Sequence, residues 1–160
     1  MTTAQNLPRH GGLLLAVALL GGCATTISTA PGPNAADPAC ATVILSLPDE
    51  VLGQERAQVT AQGTAAWGEP QRAVVVTCGV EQPAPTQEDC QSITTDTFGV
   101  ASTVDWIATT DNSGWIFTTY GRNPAVMVQV PQALKELQPT GALVDVAGAV
   151  TSIEQTEFCR

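Results

Sequence analysis

Apolar positions recur along this chain with two different periods, and the period predicts the element. Cys40, Val43, Ile44 and Leu47 stand at i, i+3, i+4 and i+7, one face of a helix. The stretch "DPAC" before them puts Asp37 at the N-cap and Pro38 at the first helical position, and Pro48 closes the turn series. "AVVVTCGV" at 73 to 80 is a continuous apolar run of strand length, as expected of a central strand. "TVDWIATT" and "GWIFTTYG" are rich in Val, Ile, Thr and aromatics and are joined by "DNSG", which predicts a hairpin. "AVMVQVP" at 125 to 131 predicts a further strand ending at Pro131. In "GALVDVAGAVTSI", Leu143, Val146, Ala147, Val150 and Ile153 return to helical spacing, so a second helix is expected, although Gly148 costs up to about 1 kcal/mol inside it.

Between these segments the pattern weakens. "DEVLGQERAQVTAQG" and "TAAWGEP" carry mixed signals and read as irregular structure or an edge strand. Successive strands with a helix at each end predict an α+β fold. The expected form is a two-layer sandwich, an antiparallel sheet of about four strands with a short N-terminal and a C-terminal helix.

The start of the chain follows a different logic. Arg9 precedes an apolar run from Leu13 to Leu20, far short of the roughly 20 residues that span a bilayer, so residues 1–22 read as a secretory signal. "LGGC" at 20 to 23 resembles the bacterial lipobox, in which the Cys takes a diacylglyceryl group and becomes the first residue of the mature protein. Cys23 is therefore the expected lipidation site and the membrane its partner through that lipid. "ATTISTAPGPNAA" after it is small, polar and without apolar period, which predicts a flexible tether over 23–36 and a single globular domain over 37–160. The expected location is the outer face of the cytoplasmic membrane.

Export changes the reading of the other cysteines. Cys40, Cys78, Cys90 and Cys159 are an even set in an oxidising compartment, the condition for two disulfides. Three pairings are open; the Pro-rich connection between Cys78 and Cys90 favours that pair, with Cys40–Cys159 by remainder. No CxxC spacing exists and the only histidine, His10, lies in the signal segment, so no metal site is expected.

Charge removes one class of partner. Six Lys/Arg against fifteen Asp/Glu leave a net charge of −9 with no basic cluster, so nucleic acid is an unfavourable partner. Without histidine in the mature chain, Ser-His-Asp and Cys-His machinery are unavailable, and no Walker loop or GxGxxG is present. Neither cofactor nor catalytic residue is assigned. The reading that follows is a non-enzymatic binding or accessory module whose partner is an envelope protein or glycan. The alternative is a carboxylate-dependent glycan hydrolase drawing on acids such as Glu69, Asp105 and Asp111, since two carboxyl groups about 5 to 9 Å apart suffice for that chemistry. Trp67, Trp115 and Tyr120 are the candidate ligand-binding residues, with core packing the competing role for the tryptophans. Arg122 is expected to pair with a nearby acid.

Taken together, "GTAAWGEPQRAVVVTCGVEQP" at 63 to 83, "VDWI" at 104 to 107, "TTYGRNPAVMVQVP" at 118 to 131 and the "DPAC" segment resemble domain-of-unknown-function family 3515, small exported proteins and lipoproteins of actinobacteria. The resemblance covers Asp37 to Arg160 and implies compartment and fold-level kinship. The family carries no established activity, so it implies no catalytic residue.

Overall fold

The computed structural model describes residues 25–84, 90–97 and 100–159. In chain order the elements are β1 (Thr26–Ile27), α1 (Pro38–Ser46), β2 (Glu50–Val51), β3 (Gln54–Val59), β4 (Thr64–Trp67), β5 (Val74–Val80), β6 (Cys90–Thr97), β7 (Val100–Asp111), β8 (Gly114–Thr119), β9 (Ala125–Pro131), a 3-10 helix (Gln132–Leu137) and α2 (Gly141–Val150). The strands form one sheet in the order β1-β3-β4-β5-β9-β8-β7-β6, with β2 paired to β3. Every pairing is antiparallel except β1 with β3.

Both helices form where the spacing predicts them. Asp37 caps α1 by accepting from the Ala39 amide at 2.8 Å. Cys40, Val43 and Leu47 are buried beneath α1, and Leu143, Val146, Ala147, Val150 and Ile153 are all buried on α2 or just after it. Their counterparts on one sheet face are Val74, Val76 and Cys78 of β5, Val126, Val128 and Val130 of β9, Phe117, Val104 and Trp106. Thus the two-layer arrangement with helices on one face holds. Alternation along each strand assigns its even or odd set to this helix face and the other set to an open face.

The sheet, however, has nine strands rather than about four. Two of the additional ones are polar. "QERAQV" in β3 and "CQSITTDT" in β6 lie at or near sheet edges, where only part of each side-chain row is buried and the apolar alternation that marks a strand is diluted. β7 also begins at Val100, ahead of the expected hairpin start.

The tether expectation is corrected as well. Thr25 to Ala36 is not free chain: Thr26 and Ile27 pair with Gln58 and Val59, and Ile27 is buried in a second apolar cluster with Ala66 and Ala73 on the open face. Thr29 donates its amide to the Thr60 hydroxyl at 3.0 Å, while its own hydroxyl meets Thr64 Oγ1 at 2.9 Å. Farther on, Asn34 donates to the Gly79 carbonyl at 2.8 Å. Gly79 sits at φ +87° at the bulge between Cys78 and Val80, and a Cβ on Gly32 would lie 2.7 Å from the Gly79 carbonyl carbon. Small residues that read as flexibility serve here to let two backbones touch.

The disulfides are Cys40–Cys78 and Cys90–Cys159, with Cα–Cα distances of 5.4 and 6.2 Å, so the expected Cys78–Cys90 and Cys40–Cys159 pairs are replaced. Topology gives the reason. Three strands, β9, β8 and β7, lie between β5 and β6, so Cys78 and Cys90 are four strand spacings apart, roughly 19 Å. A disulfide tolerates a Cα separation of no more than about 7 Å. Cys78 also faces the helices, while the Cys90↔Ile107 pair belongs to the open-face row. The bridges close consecutive loops with separations of 38 and 69, each worth about 4 kcal/mol by loop entropy.

Candidate functional site

Of the three candidate ligand-binding aromatics, Trp115 lines a cleft among the described residues. Trp67 on β4 has no exposed surface; its indole N–H donates to the Pro48 carbonyl at 3.0 Å and the Arg56 guanidinium sits over its ring, 5.7 Å from the centroid. Arg56 in turn donates to the carbonyls of Ile44 at 2.9 Å and Leu47 at 3.1 Å, satisfying groups that the end of α1 leaves without helical partners. Trp67 is therefore a structural residue at the exit of α1, and its expected ligand role is corrected. Tyr120 follows β8, where its amide donates to the Asp105 carbonyl at 2.8 Å, and it does not line the cleft formed around Trp115.

Trp115 is half-buried on the helix face of β8. It stands beside Thr110 of β7 in register, as Phe117 does beside Ala108. Gln91 from β6 and Pro139 and Thr140, just before α2, complete a cleft of about 310 Å³. That volume lies at the small end for ligand sites. No residue lining it is charged. The amides of Gly141, Ala142 and Leu143 at the start of α2 are used in turn bonds to Gln138, Pro139 and Thr140, which removes the donors an anion would seek there. Thr140, by contrast, makes no side-chain capping bond. The cleft thus offers an aromatic face, two threonine hydroxyls and a primary amide.

The acids named from sequence are placed elsewhere. Asp105 is 3% exposed and fully engaged: Oδ1 accepts from Ser92 Oγ at 2.6 Å, and Oδ2 accepts from Gln155 Nε2 at 2.8 Å and the Cys159 amide at 2.9 Å. Arg122, 4% exposed, donates through Nη1 to the Ile153 carbonyl and through Nη2 to Thr103 O and Gln155 Oε1, each at 3.0 Å. Burial lowers the Arg122 pKa and the Asp105 charge partly opposes that shift. Gln155 therefore joins the buried base to the buried acid, in place of a direct pair. This network went unnoticed in the sequence because Gln155 gives no local signal; only its bridge to Arg122 brings the three together.

Asp111 builds the β7–β8 turn, accepting from the Ser113 amide at 2.8 Å and the Gly114 amide at 3.2 Å. Its hydrogen bonds with the Ser113 side chain and backbone hold its pKa below the ordinary value. Glu69 shares a second cleft, of about 400 Å³, with Glu55 and Arg56. No cluster of three or more His, Cys, Asp or Glu capable of holding a metal occurs among the described residues.

A family model for a protein of unknown function, DUF3515, matches residues 13–158. The chain belongs to the DUF3515 family. No curated protein and no solved structure matches it. What a DUF3515 domain can do must therefore be argued from its own surfaces. Cys23 lies outside the described residues, and among those described no helix is long and apolar enough to cross a membrane.

Proposed function

We propose that this DUF3515 protein is an exported lipoprotein, anchored through Cys23 to the outer face of the cytoplasmic membrane, that works as a non-enzymatic binding module for an uncharged envelope glycan. The observation that carries the binding half is the Trp115 cleft, in which a half-buried indole meets only neutral hydrogen-bonding groups. A sugar ring has this pairing of an apolar C–H face with hydroxyls around its edge, and an indole provides the matching surface. The test is intrinsic fluorescence titrated with an uncharged soluble oligosaccharide of N-acetylglucosamine. Trp67 and Trp106 have no exposed surface, so a ligand-dependent change reports on Trp115. Saturable quenching that Trp115→Ala removes supports the reading; equal glycan retention by both proteins on a glycan column sinks it.

The anchor half rests on the "LGGC" sequence, and incorporation of a palmitate analogue that Cys23→Ala abolishes is its measurement. The hydrolase alternative draws on Glu55 and Glu69 lining one cleft. Release of new reducing ends from peptidoglycan, lost in Glu69→Gln, is the outcome that favours it.

A further inference from the structure

The Trp115 cleft has two chemically different ends, and the difference narrows the ligand it takes. We infer that the cleft selects a sugar carrying an N-acetyl group over the plain hexose, with the Gln91 side chain pairing with the acetamide; this rests on the reading of the cleft as the glycan site. Strand register places the parts. Trp115 of β8 stands opposite Thr110 of β7, and Phe117 stands opposite Ala108 in the next row of the same face. Gln91 of β6 is paired with Trp106, two residues before Ala108, so Gln91 lies diagonal to Ala108 on that face. Long side chains reach across such a diagonal. One end of the cleft is therefore an indole with the hydroxyls of Thr110 and Thr140, and the other is a primary amide beside the methyl of Ala108 and the ring of Phe117. The two rows lie about 7 Å apart, at roughly 3.4 Å per residue. That span is on the scale of one N-acetylated pyranose.

The second observation is which polar groups are still unspent. Ser92, next to Gln91, is committed to Asp105, and Thr94 is committed to Thr103. Gln91, Thr110 and Thr140, by contrast, make no side-chain hydrogen bond among the described residues. A primary amide carries an N–H donor and a C=O acceptor in one plane, and an acetamide presents the complementary pair. With that pair made, the acetyl methyl falls on the Ala108 and Phe117 end, where the small alanine side chain leaves room for it. A hydroxyl in place of the acetamide satisfies only part of Gln91 and leaves the apolar end empty, so both contributions are lost. No charged residue lines the cleft, which suits a neutral substituent and offers an ionised one no counter-charge.

The experiment titrates the tryptophan fluorescence of the full chain in detergent with triacetylchitotriose and with cellotriose, which share a backbone and differ in the substituent at C2. Binding of the acetylated sugar should be about tenfold tighter or more, as two additional neutral hydrogen bonds provide. Gln91→Leu, of similar size without the amide, should bring the ratio of the two affinities to about one. Ala108→Leu should do the same by filling the space for the methyl, and thermal unfolding of each variant checks that the domain is intact. Equal affinities in the parent protein overturn the inference and leave the glycan reading standing, as does a preference that survives Gln91→Leu and Ala108→Leu in folded protein. No fluorescence response to either sugar overturns the glycan reading and the inference together.

Discussion

Two segments cross the open face of the sheet, and they are held by opposite means. The N-terminal strap, Thr25 to Ala36, carries no charge and is fixed by threonine hydroxyls, small apolar contacts and the close approach of Gly32 to Gly79. The C-terminal tail, Ile153 to Cys159, is fixed by a disulfide and by the buried Asp105–Gln155–Arg122 network. Close backbone packing distributes its stabilisation over many weak contacts. A buried charged network concentrates it in a few groups, each costly to leave without a partner. The tail should therefore be sensitive to single substitutions and the strap comparatively tolerant of them, except where a glycine is required.

The largest effect should follow removal of the covalent link. The pair Cys90→Ser and Cys159→Ser is expected to lose about 4 kcal/mol in urea unfolding, because the closed loop has a separation of 69. Asp105→Ala comes next, at roughly 3 kcal/mol, since it strips acceptors from Ser92, Gln155 and the Cys159 amide in a site 3% exposed. If the tail stays protease-resistant in Asp105→Ala, the network is not what holds it and the comparison fails. Gly79→Ala tests the strap where it is least tolerant: φ is +87° and the Asn34 backbone already crowds the position, so a loss of about 2 kcal/mol or more is expected, with earlier amide exchange across 26–35. Thr29→Val should cost only about 1 kcal/mol, one threonine hydroxyl among several contacts.

The smallest effect, a control outside both segments, depends on pH. The Asp111 pKa is lower in the folded chain than its ordinary value of 3.8, so the stability it adds is present above that value and lost as pH falls through the folded pKa. The stability difference between the parent and Asp111→Ala should accordingly shrink only in that acid range. A difference that stays constant down to pH 2 would contradict an ionised carboxylate at the turn.

Much of the helix layer was legible before any tertiary information. Asp37, Pro38 and the spacing of Cys40, Val43 and Leu47 determine where α1 starts and which face it buries, and the same holds for Leu143, Val146, Ala147 and Val150 on α2. Trp115 and Phe117 could be assigned to one face of their strand, but not their cleft, because Gln91 and Thr140 reach it from distant parts of the chain. Edge strands such as β3 and β6 were hidden by polar composition, which reflects half-exposure and carries no strong period.

By itself, then, the sequence determined what nearest-neighbour spacing controls: capped amphipathic helices, the central apolar strands, the β7–β8 turn and the family. Only the tertiary structure decided which cysteines meet, that residues 25–36 are part of the fold, and that Asp105 and Arg122 share Gln155. The physical reason is strand order. Insertion of β9, β8 and β7 between β5 and β6 separates residues close in sequence by about 19 Å, and no local pattern encodes that insertion.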